Sequence, residues 1–343
     1  IRLSLVGSEM CIRDRNGGDR AIRNVQIGNE RVLRARLDDA KFFFDGDRRK
    51  SLEGHREALS RINYQEGMGT MLDKSDRLVK LVEEIWEDWN FTDTEKSDVR
   101  RAAYLSKSDL ATGMVTEFTE LQGEMGKEYA LLDGEKPKVA AAIFEQYMPR
   151  FAGDVLPKSS IGRALSLSDK LDNLAATFLR GLIPTGSQDP FALRRQTIGA
   201  IHILTDGEIH WDIRKGVKLA LALLPGTQEE KEAAANKVED FFRQRIKAIL
   251  LDEGVDYDIV DAVLTGAVDD VYAIFLKAHS MMDSHVKGEL EMRQAVTRLV
   301  NITKGKTAVE IRPELLTEEA EKNLYAALEK AGEEVTNAYN AYD

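Results

Sequence analysis

Apolar positions recur every three to four residues along most of this chain, and runs that alternate apolar with polar are few, so the pattern predicts an all-α protein. From Gly28 onward the reading is helical nearly throughout, with only seven prolines in the whole chain. Thr92 and Glu95 have capping-box spacing: the hydroxyl accepts from the Glu95 amide while the carboxylate accepts from the Thr92 amide. They are expected to start one long helix whose buried stripe carries Leu110, Met114 and Phe118. A second helix is expected after Pro157, capped by Ser159 or Ser160, with Ile161, Leu165, Leu171, Leu174 and Phe178 inward and Gly181 at its end. In LIPTGSQDPFALRR, Pro184 and Gly186 supply a turn, Asp189 is the expected N-cap and Pro190 the expected first helical residue. This third helix is expected to run to about Leu204 with Phe191, Ile198 and Ile201 inward.

The stretch 206–230, with Gly207, Pro225 and Gly226, reads as the best domain boundary. Beyond it, 237–251, 256–264, 268–282 and 290–303 read as successive amphipathic helices, and a last helix over 318–342 has no stop signal, which points to truncation. The first fifteen residues, IRLSLVGSEMCIRDR, join no periodic pattern and resemble translated sequencing adapter; they are expected to be disordered and dispensable, with Cys11 freely reactive. The expected organisation is a non-native segment (1–15), a lead-in with a helical segment (16–61), a helical domain (62–205), a linker helix region (206–235) and a second helical domain (236–343).

Composition narrows the function classes. With 343 residues, 43% hydrophobic and 31% charged, the chain can bury a core and is long enough for two domains. Its longest apolar run, 217–224, is interrupted by Lys218 and stops at Pro225, well short of the roughly 18 residues of a membrane span. A single cysteine excludes an internal disulfide, and no signal-peptide order is present, so a reducing, cytoplasmic setting is expected. The net charge of −11 argues against indiscriminate coating of nucleic acid. Local basic faces remain: Arg31, Arg34, Arg36, Lys41, Arg48, Arg49 and Lys50 outnumber their acidic neighbours, as do Arg150, Lys158, Arg163, Lys170, Arg180, Arg194 and Arg195.

No glycine-rich phosphate loop, CxxC pair or HExxH helix is present, and the five histidines are scattered. Ser106-Lys107-Ser108 echoes the end of the KMSKS loop of class I synthetases, but reads as lying inside a helix, with no HIGH-like partner. Asp109, and Asp169 with Asp172, follow the order of the HD phosphohydrolase scaffold, in which histidines and aspartates bind metal ions. Here Ser108 precedes Asp109 and no histidine lies between His55 and His202, so pairing of these acids with bases such as Lys107 and Lys170 is the favoured reading.

Longer strings carry more information. ERVLRARLDDAKFFFDGD (30–47), QEGMGTMLDKSDR (65–77), KSDLATGMVTEFTELQGEMGKEYA (107–130), PRFAGDVLP (149–157), SDKLDNL (168–174) and GLIPTGSQDPFALRR (181–195) resemble the β subunit of the bacterial heterotetrameric glycyl-tRNA synthetase. The likeness covers about 28–204 and continues more weakly to the end. It implies a degenerate HD-like domain stripped of metal histidines, then a helical anticodon-binding (DALR-like) domain in which 255–281 and 295–304 are middle helices. It implies too that the family's large N-terminal region and the closing helices of the second domain are missing from this chain.

The function so implied is a non-catalytic, tRNA-binding subunit of glycine–tRNA ligase. ATP and glycine would be used at a separate α subunit, in an assembly of two α and two β chains, with tRNA(Gly) as the nucleic-acid partner and neither DNA nor membrane. No catalytic residue, metal or cofactor is expected on this chain. Arg36, Lys41, Arg194 and Arg195 are the expected tRNA contacts. The last two follow a helix start whose orphan amides add partial positive charge, while the rival reading pairs them with Asp169 or Asp172. The rival functions are an HD-type metal-dependent nucleotide phosphohydrolase and a purely helical scaffold.

Overall fold

The computed structural model describes residues 22–184, 188–286, 298, 301 and 311–341, and among them no strand forms. The fold is all-α. Residues 1–15 with Cys11, Gly186, and most of the expected helix at 290–303 lie outside the described residues. The chain divides into two compact units, Ile1–Ile246 and Lys247–Asp343.

In the first unit, α1 (Ile22–Asp47) is followed by a short α2 (Leu52–Arg56), α3 (Met71–Asp88) and α4 (Asp93–Leu105). Thr70 with Asp73, and Thr92 with Glu95, close capping boxes at the starts of α3 and α4. The single long helix expected after Thr92 is instead broken. After Leu105 the chain turns at Lys107, whose φ of 68° is left-handed, passes through a 3-10 turn (Ser108–Ala111) and restarts as α5 (Gly113–Glu117). Thr112 caps α5 through the Val115 amide, and Asp47, at the end of α1, accepts from the Gly113 and Met114 amides. Met114 and Phe118 are buried as expected, but on this shorter element and the residue after it. Ser106-Lys107-Ser108 therefore sits at a helix break, not within a helix.

The next helices are α6 (Glu124–Leu132), α7 (Pro137–Glu145) and α8 (Ser160–Leu179). α8 is the centre of the unit, packed against α3, α4, α7, α9 (Leu193–Asp206) and α10 (Ile213–Ala222). Surrounded in this way, it buries Ile161, Leu165, Leu171, Leu174 and Phe178, and most of its remaining residues as well. Ser159 is its N-cap, and Gly181, at φ 72°, lies just past its end.

α9 starts later than the sequence pattern predicts. Its N-cap is Ala192, and Pro190 precedes the helix; the Asp189 carboxylate nonetheless accepts from the Leu193 and Arg194 amides, so it satisfies the helix start from outside. Phe191 is exposed, while Leu193, Thr197, Ala200, Ile201 and Leu204 form the buried face. The segment 206–235 holds α10, which packs on α8, and the start of α11 (Gln228–Asp252). In the second unit, α12 (Tyr257–Val263) packs on α13 (Val271–Val286), and the last helix is α14 (Glu319–Ala341).

Candidate functional site

The middle of α8 carries charge where a central helix should carry apolar side chains. Asp169, Lys170 and Asp172 are all buried there, and α3 presents buried Lys74 and Arg77 to them. Spacing explains the match, because both the acidic pair and the basic pair stand three residues apart, on one face of their helices. Lys74 Nζ donates to Asp172 Oδ2 and Asn173 Oδ1, each at 2.8 Å, and lies 3.0 Å from Asp169 Oδ1, a charge contact without hydrogen-bond directionality. Arg77 grips Asp172 with two nitrogens, at 2.6 Å and 3.1 Å. Lys107, swung inward by its left-handed backbone, places Nζ 3.0 Å from Asp169 Oδ2 and 4.1 Å from the centre of the Tyr147 ring.

These contacts decide the protonation states. Burial pushes Asp169 and Asp172 up, but the surrounding ammonium and guanidinium groups outweigh it and hold both carboxyls below the usual range. Burial likewise works against the Lys74 charge, and Asp169 with Asp172 overcome it, so Lys74 stays protonated. Lys107 and Lys170 go the other way. Burial lowers Lys107 despite Asp169, with Lys74 adding repulsion. Lys170 is brought to about 7 by burial and the nearby Lys107, only partly offset by Asp169. Its Nζ donates to neutral groups, the Met148 carbonyl at 2.6 Å and Ser166 Oγ at 2.7 Å. The expected pairing of Lys107 with an aspartate is present; the ammonium of Lys170 is not matched in that way. Asp109 stands apart, accepting from the Gly123 amide at 2.7 Å and from the Tyr147 hydroxyl at 3.4 Å, and burial raises its carboxyl.

The network forms one wall of a pocket of about 480 Å³, lined by Tyr64, Lys74, Lys107, Tyr147, Asp169, Lys170, Asn173 and Gln196 among others. Its rim includes Arg150 and Arg195. Of the four expected tRNA contacts, only Arg195 borders this pocket; it is exposed, and its Nη1 donates to the Arg150 carbonyl at 3.1 Å. Arg194 is half-buried beside Asp189 and Arg245. Arg36 is exposed on α1, bound to Glu117 at 2.8 Å and stacked over Phe118, and Lys41 is exposed on the same helix. The four thus come from two elements. Asp169 and Asp172 have Lys74, Lys107 and Arg77 as their ion partners.

The sequence reading missed Lys74, Arg77, Tyr64 and Asn173. A signal existed in the basic pair at i, i+3 within QEGMGTMLDKSDR, which mirrors the acidic pair of SDKLDNL, but nothing local says that the two helices face each other. Chemically, the site is a carboxylate pair already bridged by an ammonium group. Lys74 Nζ stands between Asp169 and Asp172, where a cation shared by the two carboxylates would have to sit. Among the described residues no three His, Cys, Asp or Glu side chains are grouped to hold a metal ion. No described helix is long and apolar enough to cross a membrane.

A family model described as glycyl-tRNA synthetase beta subunit matches residues 10–265. Among curated relatives, the glycine–tRNA ligase beta subunit of Clostridioides difficile (strain 630) is 46% identical over 312 residues, covering 91% of this chain and 45% of the relative. That of Desulforamulus reducens is 42% identical over 325 residues, covering 94% of this chain and 47% of the relative, and that of Halothermothrix orenii is 40% identical over 330, covering 95% and 48%. The chain spans about half the length of these relatives. With the match running through every element that builds the α8 site, the chain belongs to the glycyl-tRNA synthetase beta subunit family.

Proposed function

We propose that the chain is a tRNA-handling, non-catalytic part of a cytoplasmic glycine–tRNA ligase, working beside an α subunit that uses ATP and glycine, in an assembly of two α and two β chains. The observation that carries the reading is the family match over most of the chain. On this reading residues 62–205 form a degenerate HD-like domain and residues 236–343 an anticodon-binding-like domain. The α8 site supports the non-catalytic part, since its two carboxylates are committed to Lys74, Lys107 and Arg77. The same commitment counts against a metal-dependent phosphohydrolase, whose aspartates must be free to bind metal.

Arg36, Lys41, Arg194 and Arg195 are the proposed phosphate contacts, with tRNA held through phosphate and 2′-hydroxyl contacts and splayed anticodon bases. The test is binding of tRNA(Gly), against a noncognate tRNA, by the full-length β subunit and by this chain. Arg194→Ala with Arg195→Ala should weaken binding at unchanged thermal stability and lower the salt slope by about 0.7 to 0.9 per lost contact. Earlier melting with an unchanged slope would assign both arginines to the fold. Glycine-dependent pyrophosphate exchange by the chain without α subunit would overturn the non-catalytic reading.

A further inference from the structure

The pocket beside α8 gathers more positive charge than its carboxylates neutralise. Lys74 and Arg77 are spent on Asp169 and Asp172, and Lys107 has to share Asp169 with Lys74. On the rim, Arg150 is matched by Asp154, bound at 2.9 Å. Two cations that border the cavity have neutral partners in hydrogen-bond contact: Lys170, bonded to a carbonyl and a hydroxyl, and Arg195, bonded to the Arg150 carbonyl. Glu120 also lines the cavity and offsets part of this excess.

A buried ammonium whose donor bonds go to neutral groups and whose charge Asp169 offsets only in part is costly, and an oxyanion entering from solvent is the chemistry that relieves it. Lys107, Lys170 and Arg195 come from the 105–112 break, α8 and α9 respectively, so donors approach from three elements. That arrangement suits a tetrahedral, multiply charged group better than a planar carboxylate, which one arginine fork satisfies. The volume, about 480 Å³, lies in the range of small-molecule sites and leaves room for more than the oxyanion alone. Tyr64, Asn173 and Gln196 supply further polar lining.

We propose that this pocket binds the phosphate group of a phosphomonoester of nucleotide size, held between Lys170 and Arg195 with Lys107 as a third donor. The site goes beyond the tRNA-handling reading. If the phosphate belongs to RNA it extends that reading, and if it belongs to a free nucleotide it is a separate ligand site.

The test is calorimetric titration of the purified chain with AMP and with inorganic phosphate, adenosine serving as the uncharged control. AMP should fill one saturable site, about tenfold weaker in Lys170→Met and in Arg195→Gln, while adenosine should not bind. Arg195 is exposed, so Arg195→Gln keeps the test valid even if Lys170→Met disturbs the core. Absence of saturable binding by both AMP and phosphate, or AMP binding of unchanged strength in both variants, would overturn the proposal. Displacement of AMP by tRNA(Gly) assigns the phosphate to RNA, and simultaneous binding assigns it to a free nucleotide; either result upholds the pocket. Should the chain bind AMP with this sensitivity yet fail to bind tRNA, the pocket stands and the tRNA reading falls.

Discussion

α8 and α1 invert the usual relation between residue type and burial. α8 buries Asp169, Lys170 and Asp172, with Asp172 fully enclosed, whereas α1 leaves Val32, Leu37 and Phe42 largely exposed. The residue of α1 that is buried is an acid, Asp47, which accepts from the Gly113 and Met114 amides and from the Tyr129 hydroxyl. Hydropathy alone would place these residues the other way round. What decides their position is whether each polar atom finds a partner: Asp172 has three cationic donor bonds and Asp47 closes a helix start. A satisfied charge can occupy the centre of a helical bundle, while an apolar side chain goes inside only if a neighbouring element covers it.

The largest loss is expected at Asp172. Replacing it with alanine strips Arg77 of its ion partner and leaves Lys74 with one, Asp169, which it shares with Lys107. Removing one partner of a buried pair costs about 3–5 kcal/mol, so Asp172→Ala should shift the denaturation midpoint by that amount or leave the chain unfolded. A loss below about 1 kcal/mol, measured by urea unfolding, would mean that the network is solvated and that α8 is not a closed centre.

Part of this architecture was legible because it is local. Thr92 with Glu95, Ser159, and the apolar positions of α8 are read within a few residues of themselves, and each stands where the pattern predicts. The break at Lys107 was not legible, because a lysine in the left-handed region costs about 1–3 kcal/mol and is held there by tertiary contacts with Asp169 and Tyr147. α9 shows a middle case. Asp189 is the helix-start acceptor that the pattern predicts, but its carboxylate reaches past Pro190 and Phe191, so the helix starts later than expected and Phe191 is exposed. The role of Lys74 is not legible because its partner Asp172 is 98 positions away and nothing in either segment announces the other.

Lys170 is the charge inside α8 whose donor bonds go to neutral groups. Its folded pKa of about 7 lies below its ordinary value of 10.5, so between these two values the unfolded chain binds more protons than the folded one. Stability therefore rises with pH across that window as far as Lys170 is concerned, and its penalty is fully present below about pH 7. Lys170→Met, close in volume and free of charge, should be more stable than the parent at pH 6, with the advantage shrinking towards pH 10. Parallel melting curves, with a constant gap over that range, would show that Lys170 keeps its proton throughout. Gly199 packs against this side chain: a Cβ there would come within 2.9 Å of Lys170 Cε.

The smallest effect belongs to α1. Leu37 is 68% exposed, so its transfer from water contributes little to folding, and a serine there removes apolar surface without opening a cavity. Serine costs some helix propensity, a few tenths of a kcal/mol, which sets the scale of the expected loss. Leu37→Ser should therefore change stability by no more than about 0.5 kcal/mol, against about 2–5 kcal/mol for Leu171→Ala in the enclosed core of α8. Both are leucines on helices of one compact unit, so the ratio of their losses isolates burial from residue type. If thermal unfolding of the two variants gave comparable losses, α1 would have to be covered in solution by another part of this chain or by a second copy, and the contrast between the two helices would fail. Repeating the measurement over a range of chain concentrations would separate those two covers, since only the second depends on concentration.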